Sequence, residues 1–302
     1  MAISVSSMMN IYQKLKAVFR HFVGGLYNRF GDHHVFLLSG GLAFSLFVCI
    51  VPFTLIIFAV LTNILEMPSI DSQFRGLIEK LIPYGKYADF AEKMILGRVA
   101  EFKIYRDTAG LIGLAGLLFA ASGLFSSMRT ILNRVYNTTS TPSAIIGKLK
   151  DLGLVILVLT FFMFSAIVLS SFDIYNEITT RIESLSMYRL DLLGTLLYRG
   201  ISLFIMFAAF GMIYFLVPQQ KIPKKVIAIS ALTAALLWET ARLLFGFYIT
   251  NIASLDNIYG AYSLIVVTAF WIYYTSLVFI VGAEFGQLYR EWLDRKKIMI
   301  LA

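Results

Sequence analysis

The sequence predicts an all-α integral membrane protein with six transmembrane helices, amphipathic periplasmic helices, and N- and C-termini in the cytoplasm. Hydrophobic residues make up 59% of the 302-residue chain and charged residues only 15%, a composition too apolar for a soluble domain of this size. The apolar residues form several long runs, and helices satisfy their own backbone hydrogen bonds in lipid. Lys and Arg concentrate in alternate connections, as a multi-pass topology requires.

Six apolar runs define the predicted spans. They cover residues 35–65, 108–128, 152–172, 192–217, 226–249 and 258–288. Residues 1–34 combine basic side chains with apolar ones at helical spacing, which predicts an amphipathic helix on the cytoplasmic membrane surface. Residues 66–107 carry matched acidic and basic residues and two apolar stripes, which predict a periplasmic cap of short helices. Residues 289–302 form a basic cytoplasmic tail, and nothing in 1–302 marks a second domain.

The orientation follows from the positions of Lys and Arg. The basic residues that mark the cytoplasmic side are Lys14, Lys16, Arg20, Arg29, Arg129, Arg134, Lys148, Lys150, Lys221, Lys224, Lys225, Arg290, Arg295, Lys296 and Lys297. The connections between them are neutral, acidic or balanced in charge. The net charge of +8 is therefore explained by topology, and no nucleic-acid partner is expected.

Pro52 lies within the first predicted span. Proline removes one backbone donor and frees the carbonyl four residues earlier, at Val48, so a helix kink is expected. A kink that serves packing is favoured over a break that binds a ligand.

Glu239 and Arg242 place opposite charges near the centre of the fifth predicted span. Each charge there costs about 2.5 to 3.5 kcal/mol, so the surroundings must compensate. Residues three apart lie on one helix face. The pair therefore either tightens helix packing or faces a polar cavity that binds a substrate, an ion or a proton. Aromatic candidates for the lining are Trp238, Tyr248, Tyr259, Tyr262, Tyr273 and Tyr274.

Arg129 and Glu284 are predicted at similar depth, at the cytoplasmic ends of the second and sixth spans. A contact between them would join two helices at a cytoplasmic gate, and Asn133 adds polarity there. The simpler interpretation is that each charge faces lipid headgroups. His33 and His34 are assigned to a solvated segment at the membrane edge.

The sequence favours no enzyme class. No His, Cys or carboxylate group has the spacing of a metal site, and no nucleophile elbow, Walker loop or dinucleotide fingerprint is present. No metal or cofactor is therefore expected.

Several stretches carry a family resemblance. They are LSGGLAFSLF at 38–47 followed by Pro52, AASGLFSSMRTILNRVY at 120–136, LWETARLLFGFY at 237–248, IYGAY at 258–262, FWIYY at 270–274 and GAEF at 282–285. Together they resemble the YihY/BrkB family of bacterial inner-membrane proteins over nearly the whole chain. The resemblance implies six membrane helices in the bacterial inner membrane. Relatives have carried a ribonuclease BN label for tRNA processing and a virulence label; the missing metal site contradicts the nuclease label for this sequence.

The leading functional hypothesis is a transporter-like or flippase-like protein. It would move a lipid, an envelope component or a small solute through a polar intramembrane cavity without its own ATPase. The alternative is a structural or assembly factor of the cell envelope. The expected partners are membrane lipids, with an envelope protein or a second copy of the chain as further candidates.

Overall fold

Every secondary-structure element that the structure describes is helical. The computed structural model describes residues 16–65, 105–138, 147, 150–161, 164–165, 168, 192–251 and 263–301. Residues 16–19 are helical, a π-helical turn follows at Arg20–Gly24, and the helices are then α1 (Gly25–Asp32), α2 (Val35–Leu65), α3 (Arg106–Val135), α4 (Leu192–Leu216), α5 (Lys224–Asn251) and α6 (Ser263–Leu301). Residues 150–161 are also helical. The all-α prediction is confirmed for these ranges.

Four described helices are long and apolar enough to cross a membrane. Their apolar stretches are Val35–Ile57, Asp107–Val135, Lys224–Phe245 and Ile265–Arg295, and a shorter apolar helix covers Gly200–Leu216. The count of six spans and the orientation of the termini stay predictions. The predicted periplasmic cap lies outside the described residues, apart from the start of α3.

Helix boundaries follow the apolar runs closely at some ends and differ at others. The bounds of α2 are those of the first predicted span. α6 instead continues through the predicted tail to Leu301. With 39 residues and a rise of 1.5 Å each, α6 is about 58 Å long. Because a bilayer core is about 30 Å thick, part of α6 must extend beyond it.

The helices divide into two compact units. The first holds the chain up to Ala43 together with the residues from Phe125 onward, and the second holds Phe44–Leu124. In the second unit, α2 continues past Pro52, and the glycines of α3 lie against this part of α2. A Cβ at Gly113 would lie 3.1 Å from the Pro52 carbonyl oxygen, and one at Gly116 would lie 3.2 Å from Pro52 Cβ.

In the first unit, α5 and α6 pack closely against each other. A Cβ added to Gly282 would lie 2.8 Å from Ala234 Cβ and 2.9 Å from the Ser230 carbonyl oxygen. One added to Gly286 would overlap the Ser230 hydroxyl. The Gly-x-x-x-Gly spacing therefore serves close packing, as small residues do in membrane helices.

Two buried tyrosines complete this contact. Tyr214 of α4 donates a hydrogen bond to the Phe279 carbonyl at 2.6 Å, and Tyr136, just after α3, hydrogen-bonds to Ser230 Oγ at 2.9 Å. Burial raises the pKa of Tyr136, so its hydroxyl stays neutral. The phenols thereby join α4 and the end of α3 to the α5–α6 pair.

The N-terminal helix packs against α6. His21 Nε2 hydrogen-bonds to the Leu288 carbonyl oxygen at 3.0 Å, and Phe22 stacks on Phe285 with ring centroids 5.1 Å apart. A Cβ at Gly25 would lie 2.8 Å from Leu288 Cδ2, so glycine permits the close approach. One face of the N-terminal helix therefore contacts α6, and its position at the membrane surface stays a prediction.

Candidate functional site

Glu239 and Arg242 of α5 contact each other, as their spacing of three residues predicts. Arg242 Nε and Nη2 donate to Glu239 Oε2 and Oε1 at 3.1 and 2.5 Å. The Arg242 side chain is 43% exposed and that of Glu239 18%. Two parallel hydrogen bonds to a carboxylate are the strongest arrangement available to arginine. The pair thus compensates much of its own charge while remaining accessible from outside the bundle.

An apolar recess lies between α5 and α6, close in sequence to this pair. Its volume is about 270 Å³, and it is lined by Ala241, Leu244, Phe245, Phe270, Trp271 and Tyr274. Within this lining, Trp271 packs against Phe245 at a centroid distance of 5.0 Å. Of the aromatic residues predicted to line a cavity, Tyr274 lines this recess, and its other lining residues were not predicted.

The aromatic residues predicted to line a cavity around Glu239 and Arg242 differ in where the structure places them. Trp238 packs edge-on against Trp271 at 4.9 Å and against Phe210 at 6.5 Å, so it joins α4, α5 and α6. Tyr248 belongs to α5, but its side chain lies outside the described part of the molecule. Tyr259 and Tyr262 lie outside the described residues.

Glu284 is the centre of a buried charge cluster. Its side chain is 0% exposed; Oε2 accepts a hydrogen bond from Arg29 Nη1 at 2.7 Å, and Oε1 bonds to His33 Nδ1 at 2.5 Å. Arg29 Nη2 also donates to Glu291 at 2.5 Å. Gln287 Nε2 reaches the same Glu291 oxygen at 3.4 Å, while its own buried Oε1 has no partner among the described residues.

Arg129 and Glu284 do not pair with each other in the described chain. Arg129 instead forms a buried ion pair with Asp151. The physical reason is that the N-terminal helix packs on α6 and brings Arg29 to Glu284. The pKa of Asp151 is raised, mainly because the carboxyl group is buried. The positive charge of Arg129 and its hydrogen bond lower this pKa, but their effect is smaller.

Asn133 has a local structural role at the end of α3. Its Oδ1 accepts a hydrogen bond from Thr138 Oγ1 at 2.9 Å, and its carbonyl accepts from the Thr138 N–H at 2.9 Å. Asn137 has a φ of 51°, the left-handed conformation that commonly ends a helix. These contacts close the helix end.

Sequence reasoning missed Arg29 and His33 as partners of Glu284. The assignment of His33 to a solvated segment is wrong, because the imidazole is tied to a buried carboxylate. A local signal existed, since positions 29 and 33 lie on one face of a helix. Their partner is 255 and 251 positions away, and nothing in the sequence pattern joins the two.

The chain matches a known protein family over most of its length. The family described as "Virulence factor BrkB" matches residues 26–298. The chain belongs to the BrkB family. The resemblance of the motifs is thereby confirmed, and the matched range includes all of α1 except Gly25, the α5 pair and the Glu284 cluster.

Relatives of this BrkB protein are named membrane proteins. A "UPF0761 membrane protein" of Pseudoalteromonas atlantica is 29% identical over 253 residues, covering 82% of this chain and 78% of the relative. One of Alteromonas mediterranea is 22% identical over 97% of this chain and 96% of the relative. One of Prosthecochloris aestuarii is 28% identical, and there the match spans 60% of the relative's length. No solved structure matches significantly.

The family and its relatives are described as a virulence factor and as membrane proteins, and these descriptions name no enzymatic activity. Neither the family description nor these relatives' names state a nuclease, and the described residues contain no group of three or more His, Cys, Asp or Glu side chains that could hold a metal ion. The nuclease interpretation has no support.

Proposed function

We propose that this BrkB-family protein is a transporter-like or flippase-like protein of the bacterial inner membrane. It has six spans with both termini in the cytoplasm, and it moves a lipid, an envelope component or a small solute without its own ATPase. The observation that carries the proposal is the Glu239–Arg242 pair, which is partly exposed near the middle of an apolar helix.

The accessibility of this pair favours binding over packing. An ion pair that only tightened helix contacts would lose most of its exposure, whereas the Arg242 side chain keeps 43% of it. Ionisable groups at membrane depth usually mark substrate or ion pathways. The guanidinium can exchange part of its interaction with Glu239 for a passing phosphate or carboxylate.

The neighbouring recess suits the apolar part of such a substrate. Trp271, Phe245 and Leu244 line it with hydrocarbon and aromatic surface. A charged pair and an apolar recess on the same helix fit an amphipathic molecule, so a phospholipid is the preferred substrate within the proposed classes.

The proposed cytoplasmic gate contains Arg129 and Glu284, the two charged residues that the sequence indicated for it. Each of them pairs with a different partner. Arg129 pairs with Asp151, and Glu284 pairs with Arg29 and His33. Opening of either ion pair in this gate would require its buried carboxylate to find another partner.

Reconstitution tests the proposal. The purified protein is placed in vesicles that contain nitrobenzoxadiazole-labelled phosphatidylglycerol, and dithionite quenching measures transfer of the probe between leaflets. The wild type should accelerate transfer over empty vesicles. Arg242→Ala should slow it about tenfold and should also lower stability, because Glu239 loses its partner. Glu239→Ala with Arg242→Ala should restore stability but not transfer.

Thr240→Ala is the matched control. Thr240 lies between the two charges, is exposed, and its hydroxyl donates to the Leu236 carbonyl of the same helix, so transfer should persist. Wild-type vesicles no faster than empty ones would reject lipid movement and favour the structural or assembly role. Full activity in the double variant would reject the pair as the binding element.

A further inference from the structure

We propose that the groove between the N-terminal helix and the C-terminal part of α6 binds the headgroup of an anionic phospholipid. The groove has a volume of about 1060 Å³. Its charged lining residues are Lys16, Arg20, Arg29, Arg295, Asp32 and Glu291. Cations outnumber anions by two, so the groove favours a negatively charged ligand.

Three of these cations are available to a ligand. Arg29 is engaged with Glu284 and Glu291. Lys16, Arg20 and Arg295 are exposed, and none of them forms an ion pair within the part of the chain that the structure describes. Because Lys16 and Arg20 come from the N-terminal helix and Arg295 from α6, a phosphate in the groove meets positive charge from both elements.

An exposed apolar row runs along the same groove and selects a lipid over a free anion. Phe19, Val23 and Tyr27 lie four positions apart on one helix face, line the groove, and are 67%, 50% and 80% exposed. Apolar and aromatic side chains beside cations are typical of helices that lie at the headgroup boundary of a bilayer. A soluble phosphate would make no apolar contact with this row, whereas the glycerol and acyl chains of a phospholipid would cover it.

The groove is held open by fixed contacts. The π-helical turn contributes Arg20, His21, Val23 and Gly24 to the lining, and such turns frequently occur at functional sites. His21 is anchored to the Leu288 carbonyl, so the helix is held against α6 at this point. These contacts fix the N-terminal helix against α6, and the proposed site does not depend on transport activity.

Native mass spectrometry in neutral detergent tests this site. Phosphatidylglycerol should bind more tightly than phosphatidylcholine with the same acyl chains, and glycerol 3-phosphate and inorganic phosphate should bind weakly. Arg20→Gln or Arg295→Gln should each weaken phosphatidylglycerol binding about fivefold. The double variant should lose about 25-fold if the two charges act independently.

Lys225→Gln is the matched control, because Lys225 is exposed at the start of α5 and lies outside the groove. The Arg20→Lys and Arg295→Lys double variant should keep most of the affinity, and circular dichroism confirms that each variant is folded. Equal binding of the two lipids, or wild-type affinity in the double Gln variant, would overturn the proposal. Inorganic phosphate binding as tightly as phosphatidylglycerol would assign the groove to a free anion instead.

Discussion

At the scale of single residues, burial decides which charges matter. Glu284 is fully buried and holds both Arg29 and His33. Glu291 binds the same Arg29, but its side chain is 35% exposed. Solvent screens exposed ion pairs, whereas a buried charge without a partner has a large desolvation cost. The two carboxylates therefore differ in their expected contributions although they share one cation.

Glu284→Ala is expected to lower the free energy of unfolding by about 3 kcal/mol, since Arg29 and His33 lose their buried acceptor. Glu291→Ala removes an exposed contact to the same guanidinium and should cost about 1 kcal/mol or less. Reversible unfolding in mixed detergent micelles measures both. Equal losses in the two variants would show that burial does not determine the strength of this cluster.

Ion pairs between neighbouring residues of one helix can be predicted from the sequence, whereas ion pairs between distant residues cannot. Glu239 and Arg242 are three positions apart, so helix geometry alone predicts their contact. Arg129 and Asp151 are separated by 22 positions, and no local spacing rule predicts their contact. The sequence consequently indicated the Glu239–Arg242 contact, whereas Glu284, a candidate partner for Arg129, is not the residue with which Arg129 pairs.

At the scale of helices, small residues determine how closely elements approach. Gly282 and Gly286 allow α6 to contact the backbone of α5 near Ser230 and Val226. The spacing alone indicates a packing face, but the partner helix becomes known only when α5 is placed against it. The serine hydroxyl at the contact also binds Tyr136, so it is not free to move away.

Gly286→Ala should lower the free energy of unfolding by about 1 to 3 kcal/mol through overpacking. Rotation of Ser230 Oγ would relieve part of the overlap, but it would break the bond to Tyr136 and leave the Val226 carbonyl 3.1 Å away. Gly200→Ala in α4 is the control, because a Cβ there meets nothing within 4 Å, and it should be neutral or stabilising. A neutral Gly286→Ala would contradict this close contact.

At the scale of the whole molecule, the topology is the open prediction. Four described helices have the length and composition of spans. The helical residues 150–161 lie at the start of the third predicted span. α4 begins where the fourth predicted span begins. Basic residues in alternate connections predict that both termini lie in the cytoplasm. The groove and the Glu284 cluster would then lie on the cytoplasmic side.

Reporter fusions test this topology. Green fluorescent protein fused after Ala302 should fluoresce, because it folds in the cytoplasm and not after export in unfolded form. Alkaline phosphatase fused after Asp256 should be active, because it requires the oxidising periplasm. Fusions after Lys221 serve as the internal control and should show the cytoplasmic pattern. A dark fluorescent fusion at the C-terminus would reverse the assigned orientation.

The sequence by itself determined the class of the protein, the approximate position of its membrane helices and the Glu239–Arg242 pair. Each depends on composition or on spacing within one helix, which are local properties. Only the tertiary structure decided the partners of Glu284, the separation of Arg129 from it, and the groove beside the N-terminal helix. These features join residues as far apart as positions 29 and 284, and contacts across such distances arise from packing that no local pattern specifies.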